Sequence, residues 1–188
     1  MAKSNTALLV MDVQPGIVDR FDTQEEYLNR LKPAIEGARQ AGIPVIYVVV
    51  GFRPGFPEVS PDNKGFSSIK DSGREVMVNP SPVVELAEGE VVVTKRRISA
   101  FAGSDLDVVL SAKGVKHLVL CGISTSGVVL STTRLAADKD YQLTILSDLC
   151  LDSDEEVHRV LTEKIFPRQA EVITAETWLK GLESGEDK

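Results

Sequence analysis

The sequence predicts an α/β fold: a three-layer α-β-α sandwich around a Rossmann-like central parallel sheet of about six strands. Three observations carry this reading. Several short runs of branched apolar residues lack the polar alternation of a one-sided sheet, as expected of strands covered on both faces. Stretches with apolar residues at helical spacing lie between most of them. The resulting β-α-β order with short links favours parallel strands with helices on both faces.

Taken in order, Ala7 to Met11 is the first strand, closed by the turn signal Gln14-Pro15-Gly16. From Gln24 to Ala41 the positions Tyr27, Leu28, Leu31, Ile35 and Ala38 repeat at helical spacing. Asp22 or Thr23 could cap that helix and Gly42 would stop it, while Pro33 inside predicts a kink or a division. Pro44 to Val50 and Val91 to Thr94 supply the second and third strands. Leu118–Cys121, Leu143–Leu146 and Glu171–Ile173 supply three more, with helices expected over Ser104–Ala112, Thr125–Ala137, Asp154–Ile165 and Ala175–Leu182. The segment Gly51 to Ser81 breaks this rhythm with four glycines and four prolines. It exceeds the usual connection length and starts just past a strand's carboxyl end, where open α/β sheets keep their sites. It is therefore expected to wall a pocket or to meet a second subunit, with short ordered pieces at Phe66–Ile69 and Glu75–Val78.

A chain of 188 residues fits a single domain over 1–188, large enough to bury a sizeable core. Asp and Glu number 28 against 21 Lys and Arg, a formal charge of -7, which argues against nucleic-acid binding because phosphate contacts want a basic face. No run approaches the ~20 apolar residues that span a bilayer, and the start carries no signal-peptide pattern. Two cysteines, Cys121 and Cys150, make no disulfide framework, so a cytoplasmic, reducing location is expected.

Two charged residues follow apolar strands directly: Asp12 after Met11, and Lys95 after Thr94. If the two strand ends lie near each other, a carboxylate and an ammonium meet at one sheet edge, each favouring the other's charged form. Arg96 and Arg97 are either solvated or help attract an anionic substrate. Cys121-Gly122-Ile123-Ser124-Thr125-Ser126-Gly127 reads as a strand end, a glycine and a hydroxyl-rich helix entry, suited to an anion. It matches neither nucleotide-binding glycine pattern nor a serine-hydrolase elbow. His117 and His158 stand apart with no ligand-type spacing, so both are expected to be structural and no metal is expected. Phe52, Phe56 and Phe66 either close the pocket, contact a neighbour, or anchor the long segment locally.

Four segments together resemble the isochorismatase-like superfamily of cysteine hydrolases, which includes nicotinamidases and N-carbamoylsarcosine amidases. They are Ala7-Leu8-Leu9-Val10-Met11-Asp12-Val13-Gln14; Lys95 with Ser99-Ala100-Phe101-Ala102-Gly103-Ser104-Asp105-Leu106; Leu120-Cys121-Gly122-Ile123-Ser124-Thr125; and Ser147-Asp148-Leu149-Cys150. The resemblance implies Asp12 and Lys95 as catalytic residues and a turn at Ile123, Ser124 and Thr125 that binds an anion or oxyanion. It also implies a cis Ile123-Ser124 peptide and a pocket including Gln14, Phe52 and Phe101. By resemblance the assembly is a homodimer or homotetramer, the ligand is a small molecule, and no cofactor is expected. The histidines that some nicotinamidases use for zinc are absent from Gly51 to Pro57.

One departure bears on the chemistry. The hydrolases place their nucleophile in G-[IV]-x-T-x-x-C-V, and here that run is Gly122-Ile123-Ser124-Thr125-Ser126-Gly127-Val128-Val129. Val128 occupies the nucleophile position and has no lone pair to attack a carbonyl. The sequence thus leaves three readings: a hydrolase without a cysteine nucleophile, in which Asp12 acts as general acid or base beside Lys95; an inactive binding or interaction protein that retains the pocket; and a cysteine hydrolase with a relocated thiol.

Overall fold

The computed structural model describes residues 5–184. Six parallel strands form one sheet in the order β3-β2-β1-β4-β5-β6: β1 Thr6–Met11, β2 Val45–Val50, β3 Val91–Lys95, β4 His117–Ile123, β5 Gln142–Leu151 and β6 Glu171–Ile173. Alternate side chains of a strand leave by opposite faces. In β1, Ala7, Leu9 and Met11 enter one apolar layer and Leu8 and Val10 the other, so every residue of the strand is buried.

Each layer is completed by helices. On the first face lie α3 (Leu106–Lys113), through Leu106 and Leu110, and α4 (Leu130–Asp138), through Ala136. On the second, α1 (Gln24–Gln40) buries Tyr27, Leu31, Ala34, Ile35 and Ala38, and α6 (Ala175–Ser184) adds Trp178. α1 runs as one element with Pro33 inside it, rather than dividing there. The expected helix over Thr125–Ala137 instead opens with a π-helical turn, Thr125–Val129, before α4. The helix expected over Asp154–Ile165 is likewise divided: α5 is Glu155–Val160, followed by a second π-helical turn over Leu161–Ile165. Single π turns inside helices recur at functional sites, and the first of these borders the site described below through Gly127 and Val128.

The long segment after β2 is ordered around its own small core. α2 (Lys64–Asp71) is capped by the Asn63 side chain accepting from the Phe66 N–H, and a short 3₁₀ turn covers Glu75–Met77. Phe52, Phe56, Val59, Phe66 and Met77 pack together with Val50, with the Phe52 ring 5.3 Å from Phe56 and 5.6 Å from Phe66. Arg96 and Arg97 hold this segment down. Arg96 donates to the Gly51 carbonyl; Arg97 donates to the Glu58 carbonyl at 3.0 Å and lies 5.9 Å over the Phe66 ring. No helix among the described residues is long and apolar enough to cross a membrane.

The strand order reverses between β1 and β4, because the chain leaves β1 toward β2 and leaves β4 toward β5. Open α/β sheets form a crevice beyond the carboxyl ends at such a switch point. Gly122 fixes how closely these two strands approach. At its φ of +144°, an added Cβ would lie 2.1 Å from the Met11 carbonyl oxygen, so only glycine fits.

Candidate active site

The crevice is a cleft of about 830 Å³ at that reversal. Asp12, immediately past β1, stands on its floor with a φ of +58°, a backbone region that Asp tolerates better than most residues. Its Oδ2 lies 3.0 Å from Lys95 Nζ. Lys95 is the last residue of β3, two strands from β1, and its side chain reaches across β2 to make the pair. Both are buried, with side-chain exposures of 7% and 2%. The ammonium also donates to the Arg97 carbonyl at 2.9 Å.

The electrostatics of Asp12 follow from its burial. Loss of hydration raises its carboxyl from 3.8 to about 6, against the opposing pull of the Lys95 ammonium. Its second oxygen, Oδ1, is buried and has no hydrogen-bond partner among the described residues. A buried carboxylate oxygen left alone is costly, so this atom is the part of the pair free to engage a molecule in the cleft.

The opposite side of the crevice comes from the end of β4. The Ile123-Ser124 peptide is cis, and Ile123, Ser124, Gly127 and Val128 border the cleft. The turn spends part of its donor capacity inside the protein. The Gly127 N–H is taken by Ser124 Oγ at 3.1 Å and the Ser126 N–H by Asp152 Oδ2 at 2.7 Å. Thr125 is wholly buried, and its Oγ1 lies 2.8 Å from Nδ1 of His158 on α5. His158 itself borders the cleft. Sequence reasoning set His158 aside as structural, and no local signal marks it, since 33 residues separate it from Thr125.

The three expected pocket residues Gln14, Phe52 and Phe101 are not among those bordering the cleft. Gln14 is buried beneath it, donating to the Val50 carbonyl at 2.9 Å and accepting from the Val50 N–H at 2.8 Å. Its amide substitutes for a neighbouring strand at the end of β2. Phe52 is drawn into the core of the long segment, which instead presents Phe66, Ile69 and Met77 to the cleft. Phe101 faces the first apolar layer, its ring 6.1 Å from Tyr141 with the Lys139 ammonium 5.3 Å away. His117 sits at the amino end of β4, at the far edge of the sheet, beside Thr6 and Thr144 hydroxyls.

Cys150 borders the cleft, but its Sγ–H donates to the Leu146 carbonyl at 3.3 Å and burial pushes the thiol up to about 12. At pH 7 only about 10⁻⁵ of such a thiol is thiolate, the form that attacks carbonyls. Cys121 lies inside the second apolar layer, and burial raises its thiol well above the ordinary range. Among the described residues no three His, Cys, Asp or Glu side chains gather closely enough to hold a metal ion.

This arrangement has relatives. An isochorismatase domain model matches residues 6–177. The isochorismatase family protein YecD of Escherichia coli O157:H7 is 32% identical over 94% of this chain and 96% of its own length. YwoC of Bacillus subtilis is 31% identical over 93% of each chain. The ureidoacrylate amidohydrolase RutB of Stutzerimonas stutzeri is 28% identical, covering 98% of this chain and 81% of its own. Among solved structures, an isochorismatase family protein from Burkholderia thailandensis superposes with a TM-score of 0.80 at 27% identity, covering 95% and 96% of the two chains. N-carbamoylsarcosine amidase from Thermoplasma acidophilum shares the fold, with a TM-score of 0.72 at 23% identity over 91% and 96%. With its switch-point cleft, its six-stranded parallel sheet and a family match along nearly its whole length, this chain belongs to the isochorismatase family.

Proposed function

We propose that the protein is a hydrolase of a small polar or anionic molecule that works without a cysteine nucleophile, with Asp12 as the general acid or base and Lys95 as its electrostatic support. The observation that carries this is the buried Asp12–Lys95 pair bordering the cleft, with Oδ1 left without a hydrogen-bond partner among the described residues. A carboxyl near pKa 6 is about one-tenth protonated at pH 7, enough to supply a proton and close enough to neutrality to take it back. On a vinyl ether, Asp12 would protonate the enol-ether carbon, and water would add to the oxocarbenium-like centre and return a proton to Asp12. The resulting hemiketal would collapse to a carbonyl and the released alcohol. On an amide or carbamoyl group, the ionised carboxylate would take a proton from the attacking water and pass it to the departing nitrogen as the C–N bond breaks. Lys95 holds the carboxylate in place and stabilises its ionised form in both cases.

The named activities of relatives suggest N-carbamoylsarcosine and ureidoacrylate as substrates to test, and the general-acid route adds a carboxylated vinyl ether. Turnover should survive Cys121→Ala combined with Cys150→Ala and disappear in Asp12→Asn. A reaction abolished by Cys150→Ala alone would move the chemistry to a thiol. Val128 favours a second reading, that of a binding protein which keeps the cleft and has lost catalysis. It predicts measurable binding of the same compounds with no product. The expected homodimeric or homotetrameric assembly and cytoplasmic location belong to this reading as well.

A further inference from the structure

Thr125 Oγ1 is fully buried, and among the described residues its one hydrogen-bond partner is His158 Nδ1. A hydroxyl carries a proton that must be donated somewhere, whereas it can leave a lone pair unused at lower cost. No carbonyl takes that proton, so the hydroxyl donates to Nδ1. A neutral imidazole accepting at Nδ1 carries its own proton at Nε2.

The residue also belongs to the cleft wall. His158 borders it together with Ser124, Gly127 and Val128, and Nε2 has no protein partner among the described residues. Three of the charged groups nearby in sequence are engaged elsewhere, while Glu155 borders the cleft together with His158. Asp154 accepts from the Glu156 and Val157 N–H groups at the start of α5, Asp152 accepts from Ser126, and Arg159 pairs with Glu156 and Glu163. None of these bonds draws on the imidazole.

From this geometry we infer that His158 is a substrate-binding residue: Thr125 fixes its Nε2–H tautomer, and that N–H donates to an oxygen of the bound molecule, a carbonyl or ether oxygen. The inference rests on the cleft being the substrate site, and it adds a directional donor to the wall opposite Asp12. It also adds to the β4 turn, whose Ser126 and Gly127 N–H groups are consumed internally. The favoured ligand class is therefore an oxygen acceptor with its polar group between a carboxyl and an imidazole N–H, such as a ureido or amide compound.

The test has two arms. Two-bond ¹H–¹⁵N correlations of the wild-type protein, taken well above the imidazole titration range, should show His158 in the Nε2–H form, and Thr125→Val should mix the two tautomers. An Nδ1–H form in the wild type would overturn the inference without any ligand being needed. In the second arm, N-carbamoylsarcosine or methylurea is titrated while the His158 and β4-turn resonances are followed. The His158 Nε2 signal should move with the turn amides, His158→Phe should weaken binding about tenfold, and His158→Gln, which keeps an N–H near that position, should restore most of it. Turn amides that shift while Nε2 stays fixed would sink this assignment and leave the proposed function standing. Loss of turnover in Asp12→Asn with His158 responding normally would support both. Probes that move no cleft resonance at millimolar concentration would remove both.

Discussion

Replacing Lys95 with methionine should destabilise the protein in a way that depends on pH. Methionine approximates the aliphatic stem of lysine and deletes the ammonium that lies 3.0 Å from Asp12 Oδ2. At an effective dielectric constant of about 20, that contact corresponds to about 5 kcal/mol of attraction when both groups are charged. In the wild type the folded carboxyl sits near 6 and the unfolded one near 3.8. The folded state therefore holds its proton more tightly. Asp12's contribution to stability is greatest below pH 3.8, declines as pH rises to about 6, and is flat above that. Without Lys95, burial acts unopposed and the decline should continue to pH 8 or beyond. Two additional pH units of decline correspond to about 3 kcal/mol. At pH 5 the carboxyl is mostly protonated in either protein, and the variant loses only the ammonium's hydrogen bonds to the Arg97 carbonyl and to the neutral carboxyl, about 2–3 kcal/mol. Urea unfolding of both proteins at pH 5 and pH 8 measures the difference directly. Equal destabilisation at the two pH values would refute the claim that the ammonium offsets a desolvated carboxylate.

Other perturbations address the parts around this pair. Gln14→Leu removes two hydrogen bonds and strands both backbone groups of Val50, so a loss of about 2–4 kcal/mol should appear as a lower denaturant midpoint. Gly122→Ala should cost at least 3 kcal/mol or prevent folding, because its Cβ would meet the Met11 carbonyl; a soluble variant with unchanged melting temperature would contradict the close β1–β4 approach. Iodoacetamide at pH 7 should label neither Cys121 nor Cys150 in the native protein on a timescale that labels the urea-unfolded chain, and rapid modification of Cys150 would reopen the thiol mechanism.

The strands were legible because a buried parallel strand leaves a continuous apolar run, and all six appear where such runs occur. Asp12 and Lys95 could be singled out for the same reason: each is the first charge after such a run. The helices near the site were less legible. Both stretches read as continuous helices change to π-helical turns, a shift of one residue per turn that hydrophobic spacing over a short window does not resolve. The pocket residues inferred for Gln14, Phe52 and Phe101 were misplaced because proximity along the chain does not say which way a side chain points. Gln14 turns back to complete β2, Phe101 joins the apolar layer on the first face of the sheet, and Phe52 joins the small core of the long segment.

By itself the sequence determined the parallel α/β class, the carboxylate and ammonium at strand ends, and a valine at residue 128. These are local properties of residue type and order. Only the tertiary structure decided that Lys95 spans β2 to reach Asp12, that one carboxylate oxygen has no partner among the described residues, that burial pushes the Cys150 thiol up, and that His158 borders the same cleft from a helix 33 residues beyond Thr125. Each of these depends on strand order, burial or the meeting of distant elements, which arise only when the sheet assembles.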